Sequence, residues 1–266
     1  MSRTFGLIVV GDEILSGKRL DKHMPKVIEL LAARGLQLGW AEYVGDVPER
    51  ITAALARAFA SGDIVFSTGG IGATPDDHTR QCAAAALGVD LALHPQAELL
   101  IRERMQDTAR EQGTAYEPDR PDNIHRLNMG VFPVGAELIL NPYNKIPGFS
   151  VRDVHFVPGF PVMAWPMIES VLDARYTALF AHGQAAERSV IVFGAMEATL
   201  TPLMQAIEAT HAGVKVFSLP SVDHPEYGRH IELGVKGDSA LLDAAYTQLI
   251  TGLHGFNARL GPELVR

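Results

Sequence analysis

A chain of 266 residues, 47% hydrophobic and 20% charged, is long enough for one large domain or two modest ones, and its core needs no disulfide or structural metal. A formal charge of −8 and a pI near 5.7 exclude a general nucleic-acid binder, which needs a basic face, but leave room for a local pocket that takes a small phosphate-bearing molecule. The lone cysteine, Cys82, permits no intramolecular disulfide, and the apolar N-terminal run is too short for a signal h-region or a membrane span, so a cytoplasmic protein without a membrane partner is expected.

The first half alternates strand and helix signals. Phe5–Val10 is an apolar run ending at Gly11, which reads as a buried strand. Residues 22–34 space Val27, Leu30, Leu31 and Arg34 for a helix that Gly35 stops. Residues 36–44 read as extended, and Val47-Pro48-Glu49 opens a second helix behind Asp46. Residues 63–67 give a third strand ending in Thr68-Gly69-Gly70-Ile71-Gly72, with another helix beginning near Asp76 or Asp77. Repeated strand–helix alternation implies a parallel sheet with right-handed crossovers, and ligands of such sheets sit beyond the carboxyl ends of the strands.

Residues 95–112 read as a charged helix and residues 113–128 as loop. Strands are expected at 137–140 and 151–157, and Pro158-Gly159-Phe160-Pro161 opens a helix reaching about Ala181. A break at His182-Gly183-Gln184 separates a first domain, 1–182, from a small α+β unit, 186–257. That unit reads as strand 189–193, helix 197–210, strands 214–219 and 229–236, and helix 239–256. Cys82 falls in an Ala-rich helical stretch and reads as a small core residue rather than a nucleophile.

The strongest local signal runs from Thr68 through Gly69, Gly70, Gly72 and Thr74 to Asp76, Asp77 and Thr79. Glycines after a strand let several amides point at one anion, and a helix start nearby adds its positive end. Two readings of Asp76 and Asp77 stand: they hold a divalent cation against a ligand phosphate, or they cap a helix. Gly11-Asp12-Glu13-Ile14-Leu15-Ser16-Gly17 brackets an acidic pair and a hydroxyl that suit a ribose, pterin or amide, or forms an ordinary turn; it is neither a dinucleotide fingerprint nor a P-loop. Asp46, in Val44-Gly45-Asp46, falls on the same edge, as a helix cap or as a third carboxylate for metal or water. Pro158-Gly159-Phe160-Pro161 reads equally as a ligand wall or a plain turn. The ten histidines form no metal signature, and His224 and His230 flank a hairpin-like loop. No G-x-S-x-G supports a serine hydrolase.

Taken in order, these blocks resemble the molybdopterin-binding (MoaB/Mog-like) domain family, above all the N-terminal part of CinA-like proteins. The family pattern G-x-E-[IL]-L-x-G, V-G-D, T-G-G-[LI]-G-P-T-x-D-D-x-T, an asparagine-led N-x-x-G block and P-G-x-P falls on residues 11–17, 44–46, 68–79, 141–148 and 158–161, so Asn141, Pro158 and Gly159 join the expected ligand-binding set. The resemblance implies a three-layer α/β domain with a mainly parallel sheet. It also makes residues 186–257 the small middle domain of CinA-like proteins, while the deamidase domain of full-length CinA has no counterpart before Arg266. It implies either metal-dependent hydrolysis of the pyrophosphate of ADP-ribose or FAD, with Mg, Mn or Co, or molybdopterin binding and adenylylation in molybdenum cofactor biosynthesis. A nucleotide or pterin sensor that kept the fold without the chemistry is the third reading. In the first, Asp46 and Asp77 are catalytic and share a metal with Asp76. Association as a dimer or trimer is also implied. Ala73, Asp21-Lys22-His23 and Val162-Met163 depart from the family pattern at positions around the expected pocket.

Overall fold

The computed structural model describes residues 3–180, 185–256 and 258–265. The chain divides into two compact units, residues 1–180 and 181–266. The expected break at His182-Gly183-Gln184 lies outside the described residues. No helix among the described residues is long and apolar enough to cross a membrane.

The first unit runs β1 (Phe5–Val10), the single turn α1 (Asp12–Leu15), α2 (His23–Ala32), β2 (Leu38–Val44), α3 (Pro48–Ser61), β3 (Ile64–Thr68), α4 (Thr79–Leu87), β4 (Leu91–Leu93), α5 (Pro95–Glu111), α6 (Pro121–Arg126), β5 (Val131–Pro133), β6 (Glu137–Ile139), β7 (Gly148–Val151), β8 (Val154–Val157) and α7 (Pro161–Arg175). Six strands form one sheet in the order β2-β1-β3-β8-β7-β6. β1 is parallel to β2 and β3, β3 is parallel to β8, and β7 runs antiparallel to both β8 and β6. The expected mainly parallel sheet is present.

Every residue of β1 is buried, and its side chains alternate between two cores. Phe5, Leu7 and Val9 pack with Val27, Leu30 and Leu31 of α2 and with Met167 and Leu172 of α7. Ile8 and Val10 pack with Ile51, Leu55 and Ala58 of α3 and with Cys82 and Ala83 of α4. The result is three layers, helix on sheet on helix. Cys82 is a buried free thiol in that second core. Proline in its first turn starts α3, and Gly62 at φ 74° ends it. Ile51 and Leu55 are fully buried, each contributing about 1.5–3 kcal/mol.

The structure corrects several expectations. The helix after the glycine turn starts at Thr79 rather than at Asp76 or Asp77. Pro75 and a turn closed by Asp77 N donating to Thr74 O (3.0 Å) hold those residues outside it. Residues 113–128 contain α6, begun by Pro121 and buttressed by Asn123 Nδ2 donating to Glu117 O at 2.8 Å. Residues 151–157 are not one strand: Arg152, at φ 56°, turns the chain so that Val151 faces Val154. The last long helix of the unit ends at Arg175, because Tyr176 leaves helical geometry and buries its ring. A two-stranded sheet of β4 and β5 gave no sequence signal.

The second unit runs β9 (Ala185–Phe193), α8 (Glu197–Thr210), β10 (Lys215–His224), β11 (Gly228–Asp238), α9 (Ser239–Gly255) and β12 (Arg259–Val265). Its strands form an antiparallel sheet ordered β10-β11-β9-β12. Leu200 and Ile207 of α8, with Leu242, Leu249 and Leu253 of α9, cover Val190, Val192, Leu233 and Val235. The strand β12 was not foreseen, since Gly261, Pro262 and Glu263 dilute its alternation. His224 and His230 flank the β10–β11 turn, as expected, with His224 stacked on Tyr227 at 4.9 Å.

Candidate functional site

In the order β2-β1-β3 the neighbours of β1 lie on its two sides, the switch point at which sheets of this kind take ligands in a crevice beyond the carboxyl ends of the strands. Four loops leave adjacent parallel strands on that edge: Gly11 after β1, Asp46 after β2, Gly69 after β3 and Pro158-Gly159 after β8. They are stitched together. Gly11 N donates to Val44 O at 2.9 Å and Gly69 N to Val157 O at 3.1 Å. Asp12 N donates to Asp46 Oδ2 (2.9 Å) while Asp46 N donates to Asp12 Oδ1 (3.2 Å), a reciprocal clasp between the first two loops.

Glycine is required where the backbones press closest. Gly69, at φ 95°, lies against the Val10 carbonyl, and Gly70, at φ 67°, against the Thr79 hydroxyl; a Cβ on either would collide. The Thr79 hydroxyl donates to Gly69 O at 3.1 Å, and Thr79 N to Gly70 O at 3.0 Å. Among the described residues nothing accepts from the amides of Gly70, Ile71, Gly72 and Ala73. Consecutive free amides in a glycine-rich turn are an anion-binding arrangement.

The turn is braced from beyond. Asp77 Oδ2 accepts from Thr74 N (2.8 Å) and from the Thr74 hydroxyl (2.5 Å). Arg80, buried in the first turn of α4, donates to Gly72 O at 2.6 Å and to Asn128 O at 2.5 Å. The ring of His125 donates through Nε2 to Ala73 O at 2.8 Å.

Carboxylates gather on the near side. Burial pushes the Asp46 carboxyl above its ordinary range; the amide of Asp12 opposes this, and the charges of Asp12, Glu13 and Asp76 add to the rise. None of these four carboxylates has an ion-pair partner among the described residues. Asp76 is fully exposed, and hydrogen bonding at Thr74 and its own amide hold it below the usual carboxylate range. Asp46 and Asp76 therefore share one electrostatic neighbourhood. Asp77 differs, since its Oδ2 is spent on Thr74 and no hydrogen bond joins it to Asp46. Among the described residues no three His, Cys, Asp or Glu side chains stand ready to hold a metal ion. A cation held by one or two carboxylates plus ligand phosphates fits the donors present, because Mg²⁺ keeps such sparse protein ligation.

The other expected ligand-binding residues are placed as follows. The Glu13 carboxylate lies over Gly11. Ser16 closes α1, with its amide donating to Asp12 O at 2.8 Å, and Gly17 follows at φ 72°. The Thr68 hydroxyl is buried at the end of β3 without a hydrogen-bond partner among the described residues. Gly159 packs on Gly69, where an added Cβ would stand 3.4 Å from the Gly69 Cα. Asn141 follows β6, two strands beyond β8, and spends its amide within its own loop on Asn144, Ile146 and Tyr143.

Sequence reasoning missed Arg80 as part of this edge, although a charge at the head of an alanine-rich helix was a signal. It also missed the work of Asp21, which accepts from His23 N (2.8 Å), Met24 N (3.0 Å) and the Tyr43 hydroxyl (2.8 Å). Burial and then Asp21 push the Tyr43 phenol up to about 12. Asp21 thereby seats His23, whose Nε2 donates to Gly159 O at 2.9 Å.

Residues 6–178 match the family described as "Probable molybdopterin binding domain". A CinA-like protein of Anaeromyxobacter dehalogenans (strain 2CP-1) is 34% identical over 160 residues, which cover 59% of this chain and 37% of that protein. The chain thus spans well under half the length of such relatives. A Pyrobaculum calidifontis protein is 28% identical over 232 residues, 85% of each. The crystal structure of CinA, of unknown function, from Thermoplasma acidophilum matches 64% of this chain and 98% of its own at 26% identity, with a TM-score of 0.54. With the family match running across the whole sheet and its glycine-rich edge, this chain belongs to the molybdopterin-binding domain family.

Proposed function

We propose that the chain is a divalent-metal-dependent pyrophosphatase acting on a nucleotide diphosphate such as ADP-ribose or FAD. The observation that carries this reading is that Asp46, destabilised as an anion by burial and then by Asp12, Glu13 and Asp76, and the free amides of the Gly70–Gly72 turn both follow parallel strands at one edge of the sheet. Like charges gathered beside an anion cradle are reconciled by a cation between them. Asp46 and Asp76 are the carboxylates that would hold Mg²⁺, Mn²⁺ or Co²⁺, whose charge would neutralise the diphosphate and polarise its phosphorus–oxygen bonds.

The chain's own groups have the following parts in this reading. The glycine-turn amides bind non-bridging phosphate oxygens and stabilise the charge that grows on them as water attacks. Asp46 orients that water beside the cation, and the water's proton passes to bulk solvent. The water oxygen bonds to phosphorus, the bond to the bridging oxygen breaks, and the second phosphate leaves; ADP-ribose would give AMP and ribose 5-phosphate. Asp77, through Thr74, holds the turn in shape, so its part in catalysis is to position the amides. The test is AMP release from ADP-ribose and FAD with each metal. Turnover lost in Asp46→Asn and reduced in Asp77→Ala supports the reading; no release above Asp46→Asn with any metal rejects it.

Membership of the family favours a second reading, in which the crevice binds molybdopterin and adenylylates it in molybdenum cofactor synthesis. ATP-dependent adenylylation of the pterin by the purified protein would select it, and intact molybdoenzymes in a deletion strain would reject an essential role. Nucleotide or pterin binding with no turnover under any metal would select a sensor. We expect a dimer or trimer, which sedimentation equilibrium would read.

A further inference from the structure

Beside the glycine turn lies a cavity of about 550 Å³ bounded by Ala73–Pro75, the residues around the start of α4, His125 and Asn128, and the first residues of β4 and β5. We propose that this cavity is a second anion subsite, in which Arg80 and His78 take a phosphate group of the ligand held on the adjoining amides. The proposal deepens the reading of that turn as ligand-bearing and rests on it.

Arg80 is the observation that carries it. The residue is only 4% exposed, yet its two hydrogen bonds go to neutral carbonyls, Gly72 O and Asn128 O. Its Nε–H donates to nothing, and no carboxylate lies within ion-pair distance among the described residues. A buried charge is normally paired. Burial pulls the Arg80 pKa down, and only the field of Asp77 opposes this. The one carboxylate lining the cavity is that of Asp77, already engaged by two donors from Thr74. His125 is not offered as a ligand, because both its nitrogens are in use, Nε2 on Ala73 O and Nδ1 on the Asn128 amide. His78, preceding α4, and the exposed Gln81 complete the mouth. A guanidinium with an unused donor in a cavity wall, beside free amides, matches the planar recognition of phosphate.

The test uses the intact chain without divalent metal, titrated with inorganic phosphate by calorimetry. Among the described residues Gln81 makes no side-chain hydrogen bond, so changing it leaves the brace alone. Phosphate affinity falls roughly fivefold in Gln81→Glu and rises by a similar factor in Gln81→Lys, since a charge is placed at the mouth of a partly desolvated site. His78→Ala weakens binding, and Arg80→Lys, checked for an unchanged melting temperature, weakens it further. With metal present, KM for ADP-ribose rises in Gln81→Glu by about the same factor as phosphate affinity falls. Phosphate binding that is absent, or indifferent to charge at position 81, overturns the subsite even where AMP is released. Binding that responds as stated without any AMP release leaves the subsite standing and removes the hydrolytic reading alone.

Discussion

Gly70 and Asp46 bear on stability in opposite ways. Gly70 is held at φ 67° against the Thr79 hydroxyl, so Gly70→Ala combines a left-handed conformation with a collision. It should cost about 1–3 kcal/mol in urea unfolding and more in ligand affinity than in stability. Asp46 makes the reverse case. Its folded-state pKa lies above the unfolded value, so the fold binds the extra proton between the two values and stability falls as pH rises through that window. Asp46→Asn removes this cost while keeping an oxygen for the Asp12 amide. The metal-free variant should melt no lower than the parent at neutral pH, and higher if the repulsion dominates, while losing turnover. A lower melting temperature at pH 7 would show that the carboxylate is structural.

At the level of elements, the β7–β8 hairpin carries a buried polar chain that no sequence pattern disclosed. The Ser150 hydroxyl meets His155 Nδ1 at 2.8 Å, His155 Nε2 meets the Tyr176 hydroxyl at 2.6 Å, and that hydroxyl donates to Asp153 Oδ1 at 2.8 Å. Because the Tyr176 proton goes to Asp153, His155 donates from Nε2 and stays neutral. Burial brings its pKa down to about 3. The unfolded chain takes up a proton near pH 6.5 that the fold refuses, so stability is full above that value and drains as pH falls towards 3, by about 1.4 kcal/mol per unit. Denaturant titrations over that range should show this slope, and His155→Gln should flatten it. The same hairpin marks what local signals leave out. Strands such as Phe5–Val10 were legible from their apolar runs, and α3 from Pro48 and its spacing. The turn at Arg152 has no Gly, Pro or Asn to announce it, so two strands read as one. Likewise, Asp76 and Asp77 looked like the head of a helix, because the Thr74–Asp77 turn that keeps them out of it depends on tertiary placement of the loop.

For the whole molecule, alternation along the chain was enough to give a parallel sheet and to put the glycine turns on one edge, while the three layers came from the family resemblance. It could not give the strand order, since pairing is decided by contacts remote in sequence. Hence the reciprocal Asp12–Asp46 clasp, and the engagement of Asp77 by Thr74, were beyond reach, although each residue is a candidate by sequence. The second unit has its own core of Leu200, Leu249 and Val235, and the first has two of its own. Residues 1–180 expressed alone should therefore unfold cooperatively, with circular dichroism and tryptophan fluorescence giving coincident transitions; a broad or non-coincident transition would show that the first core depends on the second unit. The claim on which the account turns is that carboxylates and amides at the crevice grip one anion through a shared cation. Titration of Mn²⁺ followed by electron paramagnetic resonance, with and without ADP-ribose, measures it most directly. The account predicts weak Mn²⁺ binding alone, tight binding once ADP-ribose is present, and loss of that gain in Asp46→Asn. Mn²⁺ affinity unaltered by the nucleotide, or a gain that survives Asp46→Asn, would contradict it.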